Sequence, residues 1–262
     1  MEIREYVKNE KEALKEQISS LKKKPCMAII TVGENAASES YVRGKMKDSA
    51  EVGIIANNIH LDESTSEETL LGIIDKLNKD ETVDGILVQL PIPKSISEKR
   101  IQLAIAPDKD IDGFSPLTHF ACCTPKGIID YLSYEGFVFR GKNAVVLGRS
   151  NIVGKPMAKM LLALDCNVTV LHSKTSDEDK RFYLRHADLI VVAIGHLGYL
   201  DESYELKESA YIVDVGINRG EDGHLHGDAK PNLKVALQTP VPGGVGLLTR
   251  LALLKNLLEA CK

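Results

Sequence analysis

Short apolar runs alternate with longer amphipathic stretches along most of this chain. Leu14, Ile18 and Leu21 are spaced to face one side, which predicts an amphipathic helix over the first two dozen residues. MAIITVG, Met27 to Gly33, is a β-branched run closed by glycine and reads as a strand. SESYVRGKMKDSAEVGI suits a helix ending near Gly53, and IIANNIHL a second strand. SEETLLGIIDKLNKD opens with a capping serine and runs on as a helix, before VDGILVQLP, an almost wholly apolar strand of the kind buried on both faces. The loop APDKDIDGFSP follows, and the pattern restarts. TPKGIIDYLSYEG reads as helix, NAVVLG as strand, NIVGKPMAKMLLALD as helix and NVTVLHS as strand. A helix around Asp177 to Leu184 and two strands, ADLIVVAIG and AYIVDVGIN, complete the second series. The tail TPVPGGVGLLTRLALLKNLLEA is a Pro/Gly loop feeding an apolar helix, expected to pack back on the first domain.

Such alternation predicts an α/β fold with a mainly parallel sheet, in two domains. The first is expected over residues 1–117, with 240–262 returning to it, and the second, Rossmann-like, over 118–239. The 262 residues are ample for both cores. A net charge of -4 points away from nucleic acid or an anionic membrane as main partner. No apolar run approaches the roughly 20 residues of a spanning helix, and the charged N-terminus has no apolar signal core. Cys26, Cys122, Cys123, Cys166 and Cys261 are odd in number and include no CxxC, which favours reduced thiols in a cytoplasmic protein over zinc or disulfides. No metal-ligand cluster is visible.

Chemistry enters at AVVLGRSNIVGKPMAKML. A strand ends at Leu147, Gly148 turns the chain and a helix follows, so free N–H groups and a positive dipole end could meet a pyrophosphate. Ser150 stands where the usual second glycine would be, and the next glycine is Gly154. Glycine-rich turns of this kind also occur without any ligand. At the end of the next strand, Leu171-His172-Ser173-Lys174 lacks the carboxylate that would hold a ribose 2′-hydroxyl. Arg149, Ser173 and Lys174 could instead serve a 2′-phosphate, which leans to NADP, although such residues are commonly solvated loop positions.

In the first half, Tyr41 and Lys45 lie four apart on one helix face. A lysine whose pKa is tuned by a neighbouring hydroxyl is a candidate acid/base, though the pairing is also common on helix surfaces. Gln89 follows a strand, where α/β sheets present their crevice, and its amide could bond a heterocycle. Asp112, in a charged loop before Gly113, could take two hydrogen bonds from an amino-pyrimidine or simply shape a turn.

SESYVRGK, DGILVQLPIP, PDKDIDGF, CTPKG, GRSNIVGKPMA, HSKT, VDVGIN and TPVPGGVG occur in the order found in the methylenetetrahydrofolate dehydrogenase/methenyltetrahydrofolate cyclohydrolase family, which the chain resembles from about residue 25 to its end. The resemblance implies oxidation of 5,10-methylenetetrahydrofolate with NADP and hydrolysis of the methenyl product to 10-formyltetrahydrofolate, a one-carbon interconversion linked to purine biosynthesis. It implies that Lys45 carries the acid/base work, Tyr41 orients it, Gln89 supports the lysine and Asp112 grips the pterin. Ser38, Pro91, Gly243 and Gly244 would line the folate pocket. Thr124, Gly148, Arg149, Ser150, Ile152, Ser173, Ala193, Gly195 and Ile217 would line the NADP site. A homodimer is expected from the resemblance alone.

The chain departs from the family pattern in places. Leu247-Leu248 stand where proline and methionine are usual, GDAKP (Gly227 to Pro231) where GDVDF is common, and Thr118-His119-Phe120 where asparagine and glycine are more usual. The family's short N-terminal strand is missing. Two other readings remain open: a different two-domain NADP dehydrogenase, similar to shikimate dehydrogenase, and a catalytically weak folate- or NADP-binding protein.

Overall fold

The computed structural model describes residues 2–262. It divides into two compact units. The N-terminal unit comprises Val7–Cys123 with Arg250–Lys262, and the C-terminal unit Thr124–Thr249 with Met1–Tyr6.

In the N-terminal unit, β1 (Cys26–Val32) is flanked by β2 (Ile55–Leu61) and β3 (Gly85–Val88) in a parallel sheet of order β2-β1-β3. All seven residues of β1 are buried, as befits a central strand covered on both faces. The edge strand β2 keeps its polar residues and exposes four of its seven positions. Around the sheet run α1 (Ile3–Ser19), α2 (Ala36–Val52), α3 (Glu67–Lys79) and α4 (Glu98–Ala104). Ser66 caps α3 by accepting the Thr69 N–H, while Leu70 and Ile74 turn inward against Ile30, Ile86 and Val88. The sequence reading missed α4, whose two turns carry a single buried residue, Ile101, too few for a period to register.

In the C-terminal unit five parallel strands stand in the order β10-β7-β6-β4-β5: β4 (Asn143–Leu147), β5 (Asn167–Leu171), β6 (Leu189–Val192), β7 (Tyr211–Asp214) and the two-residue β10 (Leu237–Gln238). Three helices accompany them: α5 (Cys123–Tyr134), α6 (Gly154–Ala163) and α7 (Asp177–His186). A short antiparallel pair, β8 (Asn218–Arg219) with β9 (Leu225–His226), follows β7. The chain leaves β4 for β5 on one side and returns to β6 on the other, a doubly wound topology with its reversal at β4. α6 starts at Gly154 rather than Asn151, because the Ser150 hydroxyl accepts the N–H groups of Val153 and Gly154 and holds the intervening residues in a turn.

The last helix, α8 (Val245–Ala260), belongs to the N-terminal unit from Arg250 onward, later than the residue 240 expected. Leu251, Leu253, Leu254, Leu257 and Leu258 are all buried, so it is apolar on nearly every side, the signature of an enclosed helix. Its one fully enclosed amide, Asn256, donates from Nδ2 to the carbonyls of Ile111 at 2.8 Å and Ala121 at 3.0 Å. Arg250 Nε meets Asp48 Oδ2 at 2.6 Å, and Lys11 closes on the other oxygen of that carboxylate at 2.6 Å.

Candidate active site

Tyr41 and Lys45 share one face of α2, directed at the carboxyl end of β3. Lys45 is 3 % exposed, unusual for a lysine and tolerable only with polar partners. Its Nζ donates to Gln89 Oε1 at 3.0 Å and lies 5.0 Å from the centroid of the Tyr41 ring. Gln89 is fixed in turn: its backbone N–H bonds Ile30 and its Nε2 donates to the Leu90 carbonyl at 2.9 Å. The amide is thus spent on the lysine and the chain itself. Ser38 Oγ reaches the same Leu90 carbonyl at 3.3 Å, beside exposed Pro91.

Electrostatics set this group apart. Burial pushes the Lys45 ammonium below its ordinary pKa and Arg250 adds to that, while Asp112 and Cys123 pull the other way. Burial raises the Asp112 carboxyl above its ordinary range, with Lys45 and a hydrogen bond from the Cys123 thiol opposing. Asp112 is only half-buried by surface, so its crowding comes from closely packed neighbours with one side still open. Neighbouring Asp110, 2 % exposed, is lifted by burial to about 6 against the N–H of Ser115. A lysine with depressed pKa gives up its proton more readily than a free one, which suits it to acid/base work. Sequence reasoning found Lys45, Tyr41, Gln89 and Asp112 but missed Cys123 and Arg250, whose proximity arises only from folding.

The residues expected around NADP lie in the C-terminal unit at the carboxyl ends of its strands. Gly148 follows β4, Ser173 follows β5, Ala193 and Gly195 follow β6, and Ile217 follows β7. Open α/β sheets bind ligands at that edge, beside the strand where the order reverses. Gly148 sits at the reversal with φ +114°, and a Cβ there would lie 2.2 Å from the Ala193 carbonyl oxygen. A Cβ on Gly154 would come within 2.4 Å of the Gly148 oxygen, so both glycines let α6 and β6 crowd the turn. Arg149, Ser150 and Ile152 are exposed on that turn, and Ser173 and Lys174 are exposed after β5. Hydroxyls, cations and no carboxylate at that strand end fit a 2′-phosphate. Thr124, at the start of α5, pairs its hydroxyl with that of Thr249 at 2.9 Å. Gly243, φ +94°, and buried Gly244 precede α8.

The altered segments are well supported locally. Thr118 donates to the Pro107 carbonyl at 2.8 Å and accepts the Phe120 N–H at 3.2 Å, with His119 against the Phe120 ring. Leu248 is fully buried. In GDAKP, Asp228 and Ala229 are buried and Lys230 pairs with Glu202 at 3.3 Å.

Comparison with known proteins matches each half of the chain to a known domain. Residues 1–112 match the catalytic domain of tetrahydrofolate dehydrogenase/cyclohydrolase, and residues 122–262 its NAD(P)-binding domain. Bifunctional protein FolD of Staphylococcus haemolyticus is 45% identical over 97% of this chain and 94% of its own length. The crystal structure of the bifunctional FolD enzyme from Campylobacter jejuni superposes with a TM-score of 0.94 at 42% identity, covering 98% of this chain and 95% of that one. The Trypanosoma brucei enzyme, solved with NADP cofactor and inhibitor, gives a TM-score of 0.94 at 31% identity, covering 100% and 96%. The chain belongs to the tetrahydrofolate dehydrogenase/cyclohydrolase family.

Proposed function

We propose that this chain oxidises 5,10-methylenetetrahydrofolate with NADP and hydrolyses the resulting methenyl cation to 10-formyltetrahydrofolate. The observation that carries the reading is the buried Lys45, bonded to Gln89 and balanced by Asp112, in a chain that also has the Gly148 turn and the Arg149/Ser173 pair. Bound in the C-terminal unit, NADP would supply the hydride acceptor for the methylene carbon. Gly148 would leave room for the pyrophosphate at the start of α6, with Ser150 and Ile152 lining that turn, and Arg149 and Ser173 would hold the 2′-phosphate. Ala193, Gly195, Ile217 and Thr124 complete the cofactor walls.

Hydrolysis belongs to the N-terminal residues. Neutral Lys45 takes a proton from water as its oxygen bonds the methenyl carbon. The bond from that carbon to N5 then breaks as N5 takes the proton back from Lys45, the remaining hydroxyl proton is released to solvent as the C=O forms, and the formyl group is left on N10. Tyr41 orients the lysine, and Gln89 holds Nζ toward the substrate. Asp112 binds the amino-pyrimidine edge of the pterin, with Ser38, Pro91, Gly243 and Gly244 around the rest. A cytoplasmic homodimer serving purine synthesis is the setting that follows from the family resemblance; sedimentation showing only monomer at micromolar concentration would contradict the dimer.

Incubation with 5,10-methylenetetrahydrofolate and NADP, followed by chromatography, tests the reading. It predicts NADPH and 10-formyltetrahydrofolate in equal amounts. A folded protein that binds both ligands without turnover would select the weak binding protein instead.

A further inference from the structure

Two buried aspartates lie beneath the cofactor-side loops and take no part in the proposed chemistry. Asp228 is 0% exposed, and its carboxylate accepts four hydrogen bonds. Oδ2 takes the N–H groups of Ile194 at 2.7 Å and Gly195 at 2.8 Å. Oδ1 takes the N–H of His196 at 2.9 Å and Nδ2 of Asn218 at 2.8 Å. Three consecutive backbone N–H groups converging on one point form an anion-binding concavity, and here the protein fills it with its own carboxylate. Asp228 is held in turn by Asp214, 2% exposed, whose oxygens accept the N–H groups of Gly216, Asp228 and Ala229 at 2.8–3.0 Å.

The glycines around this pair have no room for anything larger. A Cβ on Gly216 would lie 2.2 Å from Asp228 Oδ1, and one on Gly227 would lie 1.9 Å from Asp214 Oδ2. The strings VDVGIN and HGD therefore encode one interlocked unit, with the glycine of each accommodating the carboxylate of the other. Its effect is specific. The loop after β6 carries Ala193 and Gly195, and the segment after β7 carries Ile217, one residue before Asn218. Both segments are fastened to the same carboxylate.

We propose that Asp228 is a positioning residue for the NADP site, setting the loop 193–196 and the 216–218 segment at the spacing the cofactor requires. The proposal rests on the reading of the C-terminal unit as the NADP-binding half. The hydrogen-bond partners of Asp228 named above all belong to the C-terminal unit, so it acts on cofactor affinity and leaves hydrolysis alone.

Asp228→Asn tests this with an isostere. Whichever way the amide faces, its NH2 opposes two donors, so two of the four bonds are lost while the volume is kept. Charge-assisted bonds of this kind predict a rise of roughly tenfold or more in the Kd and KM for NADP. Hydrolysis of supplied methenyltetrahydrofolate, which needs no NADP, should keep its kcat/KM within about twofold. NADP affinity read directly by fluorescence titration keeps the test independent of turnover, so a chain that binds NADP but oxidises no folate would overturn the function, not this inference. Unchanged NADP affinity in folded Asp228→Asn would overturn it, as would a parallel fall in both activities. If that variant does not fold, Asn218→Ala removes a single bond and should weaken NADP roughly threefold; an unchanged Kd there would also overturn the inference.

Discussion

Lys45 Nζ donates to the side-chain oxygen of Gln89 across 3.0 Å, joining the middle of α2 to the residue just after β3. That bond decides where the amine of Lys45, the one buried lysine among the described residues, points. Without it, a buried donor would lose its main neutral partner.

Gln89→Leu should therefore lower hydrolysis of methenyltetrahydrofolate by roughly 5- to 100-fold, the scale of a buried donor left unpaired at about 1–3 kcal/mol. Gln89→Glu should do something different: an adjacent carboxylate favours the ammonium, so the rise of activity with pH should move to higher pH. Steady-state rates measured across pH distinguish the two, and identical profiles for wild type and Gln89→Glu would remove Gln89 from this role.

The pH dependence follows from the depressed pKa of Lys45. The working form is neutral, so hydrolysis should climb as pH rises through the folded value and level off below the ordinary lysine value of 10.5. Asp112 opposes the depression, so Asp112→Asn should lower the pKa further and shift the climb to lower pH, whatever it does to substrate affinity. A shift to higher pH would contradict the coupling. Stability carries the same sign: protonating Lys45 is harder in the folded chain, so its contribution improves as pH rises from the folded value to 10.5.

Gly148→Ala meets both a φ of +114° and a carbonyl oxygen 2.2 Å from the new Cβ. A stability loss of about 2–4 kcal/mol is expected from backbone strain and overlap together, with NADP affinity falling at the same time. Thermal unfolding with and without NADP measures both. An unchanged Tm would mean the turn has more freedom than its geometry allows.

Arg149→Ala should erode the preference for NADP over NAD by at least about tenfold, because the phosphate loses a charged partner while the rest of the cofactor is unaffected. The ratio of kcat/KM for the two cofactors is the readout. A constant ratio would return Arg149 to the solvated surface.

Much of this was legible in the chain because local pattern and tertiary role coincide. β1 is a central strand and reads as one, and α3 announces itself through Ser66 and its inward Leu70 and Ile74. Lys45 and Tyr41 were legible as a pair because helix geometry fixes residues four apart. What stayed hidden depends on distance in sequence. Nothing in HGD says that Asp228 will reach the N–H groups of residues 194–196, more than thirty positions earlier. Arg250 and Cys123 influence Lys45 only once α8 and the start of α5 are in place. The short α4 and the delayed start of α6 were missed for a local reason, since a single capping serine or buried isoleucine outweighs periodicity there.

The most direct test replaces Lys45 with methionine, which keeps much of the stem and removes the amine. With 5,10-methylenetetrahydrofolate and NADP supplied, the absorbance of both NADPH and the methenyl product should be followed together. Lys45→Met should stop enzymatic hydrolysis, a loss of at least about 10²- to 10⁴-fold for an acid/base group, while binding NADP as tightly as the wild type. Hydrolysis of supplied methenyltetrahydrofolate at the wild-type rate in Lys45→Met would contradict the account at its centre.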